Sequence, residues 1–523
     1  MSSLPNIAQA PVHADPAVAT APGWKLWALV LGVPVVVLLT RLPFLFAGYG
    51  MDPDAWRVAC IARALAETGQ YLVSRIPGYP VQELTSGLLA RGGPLALNGA
   101  TAVCSALAVL FFVLILRRLG SRDALLAGAA LASIPVIYIS STVSLDYLWA
   151  LAFLMAATYA ALLRRPWLAG VLLGLAVGCR LTSGLLVFPL LLLISHPGEW
   201  TAADEAPKPS LSLIPAQLRA CVIMGCTTCA VGLCCFLPVI RVYGRGFLGF
   251  FDDPPPLYIQ LRHATTDTWG LLGCCALLFA CIVLLVPAGR RGASTFATPL
   301  DATLPKAWLT AMVLFVLVFI SLPHQAMYLI PALPFFLLLL ARYLPRRAFQ
   351  VVCILLILSP WLFTLRSPRH PTEPTLCAFR AMEQDFRIYL PGPILDDLHL
   401  RQARAAYVHD VLNFSASQPR PTAVIMMGLM PEIALEAVAH GGAIRLNPTP
   451  ARHLKYTWES YHLVYAAGDR ATFKELLDLG QIRDFQQHGV DVYYMPGAED
   501  AENLFYAVDL GQVGARPLPM GAF

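Results

Sequence analysis

The first 370 residues hold only 14 acids, and acidic side chains in an apolar setting are costly and tend to be functional. Asp52 and Asp54 flank a proline in MDPDAWRV, Asp146 interrupts the apolar SLDYLWAL, and Glu83 follows the Pro- and Gly-rich SRIPGYPVQE. Carboxylates so placed can take a proton as a general base or hold a hard divalent cation such as Mg or Mn. The complementary cations are Arg75, Arg180 and His324, with Tyr328 as a hydrogen-bond donor and Arg41 and Arg57 as further candidates. Together they suit an anionic leaving group such as a phosphate. Each also has an ordinary role open to it: Asp54 as a helix cap, Asp146 as a polar residue satisfied by a neighbouring helix, Glu83 as a surface acid, any one arginine as a snorkelling side chain.

The elements that must position these residues are membrane helices. At 57% hydrophobic and 13% charged over 523 residues, with a mean hydropathy of +0.63, the chain is far from the soluble average of about 25% charged residues. Apolar stretches of about 17 to 25 residues are the signature of spans. They fall near 24–46, 95–116, 123–140, 144–163, 167–179, 181–195, 218–240, 269–288, 306–322, 325–341 and 348–365, about 11 transmembrane helices in all. Basic connectors at 117–122, 164–165, 289–291 and 342–347 alternate with uncharged ones at 140–144 and 322–325, which puts the basic loops and the N-terminus in the cytoplasm. Residues 1–23 form a cytoplasmic tail and 24–365 the membrane domain, with outer loops at 47–94 and 241–268. Residues 366–523 form an extracytoplasmic α/β domain with strands at 422–428, 461–468 and 490–497 and a helix at 471–480. An amphipathic helix at 55–69 lies along the membrane surface. The acids Asp52, Asp54, Glu67, Glu83, Asp146, Asp252, Asp253 and Asp267 all fall on the outer side.

Charge divides the chain the same way. Residues 1–370 carry 25 Lys/Arg against 14 Asp/Glu, and residues 371–523 carry 12 against 18, as expected of two parts in different solvents. A net charge of +5 gives no reason to expect nucleic acid. Most of the 13 cysteines lie in apolar runs and read as buried thiols; Cys226 and Cys229 match CxxC without a second ligand pair.

Four segments resemble the polytopic GT-C glycosyltransferases, a superfamily that includes the dolichyl-phosphate-mannose mannosyltransferase and aminoarabinose transferase group. MDPDAWRVACIARALAETG is similar to the acidic segment opening that family's first outer loop, PGYPVQE to its Pro-rich turn, GLAVGCRLTSGLLVFPL to its Arg-x-Thr helix pair, and PHQAMYLIPALPFFLLL to its His/Tyr-Pro-x-x-Pro helix. The four occur in the family's order across residues 24–365. Ala55 departs from the pattern, because many relatives carry a second acid directly after the first. The resemblance implies inverting transfer of a sugar, at the outer membrane face, from a polyprenyl-phosphate donor to a lipid, glycan or protein acceptor. It implies a carboxylate base, Asp52 or else Asp54, with Asp146 and Glu83 as a second acidic group or metal ligands. Arg75, Arg180, His324 and Tyr328 would hold the donor phosphate. A lipid-anchored donor also accounts for the lack of a Gly-rich nucleotide loop. The expected location is a bacterial inner membrane.

A multi-span lipid transporter or flippase shares the many spans and intramembrane charge, and a glycan-assembly scaffold shares the anchored outer domain. Acids gathered at the outer rim, with no repeat relating two halves, favour the enzyme.

Overall fold

The computed structural model describes residues 23–196, 216–244, 254–286, 295–297, 300–368, 374–381, 384–426, 429–439, 443–445, 464–467, 471–474, 479–496 and 510–520. Among the described residues, five helices are long and apolar enough to cross a membrane by length and composition: Pro80–Arg118, Ala216–Tyr243, Thr266–Leu285, Thr303–Ser321 and Ala326–Tyr343. The remaining expected spans fall on shorter apolar helices: Ala28–Phe44, Ala124–Ser133, Tyr147–Leu162, Pro166–Cys179, Leu181–Ser195 and Arg346–Leu358. Outward Leu, Val and Ile side chains such as Leu31, Val36, Leu233, Leu278 and Ile320 are strongly exposed, as expected where the surrounding solvent is lipid.

Backbone chemistry explains the short helices. Pro135 cannot continue a helix, so 123–140 splits into Ala124–Ser133 and Pro135–Ser140. At Arg180 the backbone turns extended, φ −152° and ψ 121°, between Pro166–Cys179 and the 3-10 segment Leu181–Leu186. The boundary between the expected spans 167–179 and 181–195 is thus a real break, with the arginine at the break.

Two helices approach unusually closely. Gly170, Gly174 and Gly178 are spaced four apart on Pro166–Cys179 and face Ala216–Tyr243. A Cβ on Gly174 would lie 2.6 Å from the Val231 Cβ and 3.0 Å from the Thr228 carbonyl. The Thr228 hydroxyl donates to the Gly170 carbonyl at 3.2 Å. Small residues permit such contact in membranes, where packing and interhelical hydrogen bonds drive association.

The segment 47–94 holds two helices, Pro53–Thr68 and Pro80–Leu89. The apolar stripe of 55–69, expected to face the membrane surface, is covered by protein. One face, through Ala55, Ala59 and Ala62, joins the core of the membrane helices. Cys60 on the other face joins Met430, Ile433 and Ala434 of the C-terminal region. An amphipathic stripe meets its apolar complement in protein as readily as in lipid.

The C-terminal region holds β1 (Thr364–Arg366), β2 (Cys377–Ala381), β3 (Gln384–Tyr389), β4 (Thr422–Ile425), β5 (Ala443–Arg445), β6 (Val464–Ala467), β7 (Ala471–Lys474), β8 (Asp491–Tyr494) and β9 (Arg516–Pro517). The first three form an antiparallel sheet in the order β1-β3-β2, and the others a six-stranded sheet in the order β5-β6-β7-β4-β8-β9. β4 runs parallel to β7 and β8, Thr422 pairing with Ala471 on one side and Asp491 on the other. The helix expected over 471–480 is instead strand β7, followed by a helix at Leu479–Gln487. Phe473 explains the difference: it is buried in the sheet core beside Val424 and Tyr493, and aromatic residues favour that half-buried pleated setting. Residues 427–428, 461–463, 468 and 497, expected as strand, and 475–478, expected as helix, lie outside the described residues, as do Asp252, Asp253 and the basic connector 289–291.

Replacing Gly174 with Ile should destabilise the detergent-solubilised protein by about 1–3 kcal/mol through overpacking. A Cβ on Gly225 of the facing helix meets nothing within 4 Å, so Gly225→Ala should leave the melting temperature unchanged or slightly raised. Equal melting of the two variants would contradict the close helix contact.

Candidate functional site

The site begins with the segment 45–51 that leads to Asp52. Five of its carbonyls are caught by donors from different parts of the chain. The Asn98 amide donates to the Leu45 and Gly48 carbonyls at 3.0 and 2.8 Å. The Ser144 amide donates to Tyr49 at 3.1 Å, the Trp56 indole to Gly50 at 2.7 Å, and Arg404 to Met51 at 2.8 Å. Gly50 is required here, because its φ is +139° and a Cβ would sit 2.8 Å from a Val143 methyl. A loop with its carbonyls so committed holds its next residue in one place.

That residue, Asp52, is the N-cap of Pro53–Thr68, with Pro53 at the first helical position. One carboxylate oxygen accepts from the Asp54 amide at 2.9 Å, the other from the Gln325 side chain at 2.7 Å. Gln325 is itself oriented by the Tyr147 hydroxyl, which donates to its amide oxygen at 2.7 Å. Burial, and then the charge of Asp54, push the Asp52 carboxyl up to about 6, while its hydrogen bond from the Asp54 amide and the charges of Arg75 and Arg57 oppose the shift. A carboxyl in that range can take a proton near neutral pH.

The other two acids are neutralised. Asp54 faces Arg57 at 2.9 Å and Arg75 at 3.2 Å. Asp146 has no accessible surface, and its two oxygens are held by Arg75 at 2.5 Å and Arg180 at 2.6 Å. Aromatic faces complete the enclosure: Arg75 lies 4.2 Å over Tyr79, and Arg180 lies 3.7 Å over Tyr147 and 4.8 Å over Tyr328. The Arg75 Nη1 group is buried without a hydrogen-bond partner among the described residues, a state that favours an incoming acceptor such as a phosphate oxygen.

Two cavities meet at Asp52. One, of about 310 Å³, is lined by Asp54, Arg57, Arg75, Arg180, His324 and Tyr328 among others; the second, of about 860 Å³, lies between the ends of apolar helices and the start of the C-terminal region. Asp52, Pro53 and Gln325 line both. Burial and neighbouring His263 keep His324 below the ordinary histidine range, so it enters the smaller cavity as a neutral donor or acceptor.

Two sequence-predicted residues are not brought to this place. Glu83 is buried within its own loop, accepting from the Ser74 amide at 2.7 Å, the Ser74 hydroxyl at 2.6 Å, the Tyr71 hydroxyl at 2.5 Å and the Tyr79 amide at 3.1 Å. It shapes the turn that carries Arg75 and Tyr79. Arg41 lines neither cavity: it donates to Ser141 at 3.0 Å and to the Ala132 carbonyl and stacks 3.7 Å over Tyr138. A divalent cation does not fit the acids at hand. Four of the six oxygens of Asp52, Asp54 and Asp146 face arginines, and no group of three or more His, Cys, Asp or Glu among the described residues is arranged to hold a metal.

Gln325, Tyr79, Tyr147 and Arg404 were not among the residues expected from the sequence. Gln325 stands beside His324 in PHQAMY and was passed over because it does not ionise. Tyr79 lies inside the PGYP turn, where Pro and Gly drew attention to the backbone. Arg404 reaches Met51 from more than 350 positions away, and no local pattern marks it.

Asp146→Asn keeps the shape of the side chain but removes the charge that holds Arg180 and leaves Arg75 with Asp54, which should cost about 3 kcal/mol and lower the melting temperature by several degrees. Asp52→Asn, in which Asn still caps the helix, should shift it far less. Indistinguishable melting of Asp146→Asn and wild type would show that the arginines do not depend on Asp146.

Residues 85–220, 136 of the 523, match the sequence model of a family described as dolichyl-phosphate-mannose-protein mannosyltransferase. Two solved structures are similar: ArnT from Cupriavidus metallidurans bound to undecaprenyl phosphate, with 15% identity and a TM-score of 0.40, and the same protein in the apo state, with 15% identity and a TM-score of 0.41. The matches cover 64% of this chain and 60% and 59% of those chains, so the chain spans about three fifths of the length of the protein it matches. No curated protein sequence matches.

Proposed function

We propose that this protein is a multi-pass membrane glycosyltransferase that moves a sugar from a polyprenyl-phosphate donor to an acceptor hydroxyl at the outer membrane face, with inversion and with Asp52 as base. The observation that carries the reading is the position of Asp52. It is the one acid of the three not ion-paired to arginine, and it stands in the wall between a cation-lined cavity and a larger one. In this reading the donor phosphate lies against Arg75 and Arg180, with His324 and Tyr328 beside it, and the acceptor enters from the larger cavity. Asp52 takes the proton of the acceptor hydroxyl as that oxygen bonds to the anomeric carbon. The bond from that carbon to the phosphate oxygen breaks, and the electron pair leaves with the polyprenyl phosphate. Its added negative charge develops beside two guanidiniums already fixed by Asp146, which need no rearrangement. Base and leaving group on opposite sides of the sugar give inversion in one displacement. Asp54 is the weaker choice of base, because both its oxygens face arginines. The match of residues 85–220 to a family of dolichyl-phosphate-mannose enzymes supports this chemistry. About eleven spans, a cytoplasmic N-terminus, an outward C-terminal region and a bacterial inner membrane complete the proposal.

The test is transfer by the purified protein from radiolabelled polyprenyl-phosphate sugars to a membrane lipid extract. Wild type should form product, and Asp52→Asn should lose roughly 10²–10⁴-fold in rate, the span of general-base catalysis. Full turnover by Asp52→Asn with its fold intact would remove the base from this residue.

The pH dependence follows from the same carboxyl. The base acts when ionised, so kcat/KM should fall as pH drops through about 6, the value to which Asp52 is raised. Asp54→Asn removes a charge that raises it and frees Arg75 to act on Asp52, so the acidic limb should move to lower pH. An unmoved limb would mean that another group sets it.

A further inference from the structure

Resting on the reading of Asp52 as base, the chemistry of the larger cavity narrows the acceptor. Its walls mix two kinds of surface. Val136, Ile139, Val143 and Leu145, from the outer ends of membrane helices and their connector, make an apolar wall that meets Asp52. The polar wall comes from the 262–267 segment and from the C-terminal region. Its volume of about 860 Å³ suits a headgroup together with part of an apolar stem.

The charges on these walls have an unusual balance. The described lining residues include four carboxylates, Asp52, Asp267, Asp396 and Asp397, against two guanidiniums, Arg262 and Arg366, and the imidazole of His263. The cations are already engaged. Arg262 and His263 both reach Asp267, at 3.0 and 2.8 Å. Arg366 reaches Asp396 at 3.2 Å while lying 3.9 Å over the Tyr389 ring. Asp397 is held from behind by Arg401 at 2.5 Å, and Arg401 is anchored on the Thr142 carbonyl at 3.0 Å. Neither lining guanidinium, Arg262 or Arg366, has a buried unpartnered nitrogen like the Arg75 Nη1 group of the smaller cavity. A phosphate entering this space would meet carboxylates whose counter-charges are spent, and like-charge contact in a partly desolvated site is strongly unfavourable. Sugar hydroxyls, by contrast, donate well to carboxylate oxygens.

We infer that the larger cavity binds the acceptor as an uncharged polyhydroxyl headgroup on an apolar stem, a neutral glycolipid, with Asp396 and Asp397 of the C-terminal region selecting against phosphorylated headgroups. The C-terminal region then acts in acceptor choice, and one wall of the reaction chamber is built from it.

Native mass spectrometry of the full chain released from nanodiscs tests this directly. The lipids offered are galactosyl diacylglycerol and phosphatidylinositol with the same acyl chains, two polyol headgroups that differ by a phosphate. Wild type should retain the galactosyl lipid by roughly tenfold or more over phosphatidylinositol, and raising ionic strength should narrow the ratio. In Asp396→Asn/Asp397→Asn the ratio should fall toward one. Equal or preferred retention of phosphatidylinositol by wild type would overturn the inference, as would a ratio indifferent to both salt and the double variant, or preference for a Ser/Thr-rich peptide over both lipids. Undecaprenyl phosphate is measured in parallel. Its failure to bind wild type would count against the donor reading, whereas loss of the lipid preference with undecaprenyl phosphate still bound would count against the acceptor class alone.

Discussion

Asp146 is a carboxylate with no access to solvent at the N-cap of the apolar helix Tyr147–Leu162, and an unpaired charge in such a place would cost several kcal/mol. Its two oxygens are taken by Arg75 and Arg180, which are in turn enclosed by tyrosine rings. Much of the surrounding structure follows from that one requirement. Arg180 can reach Asp146 because the helix breaks at its own backbone, and Arg75 can reach it because Glu83 gathers four hydrogen bonds to shape the turn that presents it. With their charges balanced behind, both arginines stand rigid at the cavity wall, and one nitrogen of Arg75 is left to be satisfied by something else. Arginines fixed this way would meet an anion without rearrangement.

Against that fixed cationic wall, Asp52 is distinguished by what it lacks. Asp54, two residues away, is absorbed into the same ion-pair network, while Asp52 receives only neutral donors and is pushed toward neutrality by burial. Proline between them sets this division: it starts the helix with Asp52 as cap and leaves Asp54 on the first turn beside Arg57. The loop before it is held by a relay of donors that ends with Arg404, whose second partner is the buried Glu432. Burial raises that glutamate to about 7. The C-terminal region is therefore continuous with the site in a physical sense, touching the residue next to Asp52 and forming a wall of the adjoining cavity.

Much of this was legible in the sequence. Hydropathy located the apolar helices, because the spacing of charge in a membrane protein is dictated by lipid. The rarity of acids pointed to Asp52, Asp54 and Asp146, and the order of short motifs joined them to Arg75, Arg180, His324 and Tyr328. What could not be read was how these groups pair. Whether Asp146 faces a metal, a substrate or two arginines depends on helix packing, and that packing turns on details such as the Gly170-Gly174-Gly178 row. Glu83 and Arg41 looked like their neighbours in type and position but face other partners. The strand at 471–474 was hidden because ATFKELLDLG has a helical composition, and only the parallel neighbours β4 and β8 give Phe473 a sheet to be buried in.

The account turns on Arg75 and Arg180 as a preformed phosphate site on one side of Asp52, and a cryo-electron microscopy structure of the full chain with undecaprenyl phosphate bound tests it most directly. The phosphate should lie within hydrogen-bond distance of Arg75 Nη1 and of Arg180, with Asp146 still between the two guanidiniums and Asp52 facing the larger cavity. Phosphate density outside this cavity, or an Asp146 released from the arginines to meet a ligand or ion, would contradict it.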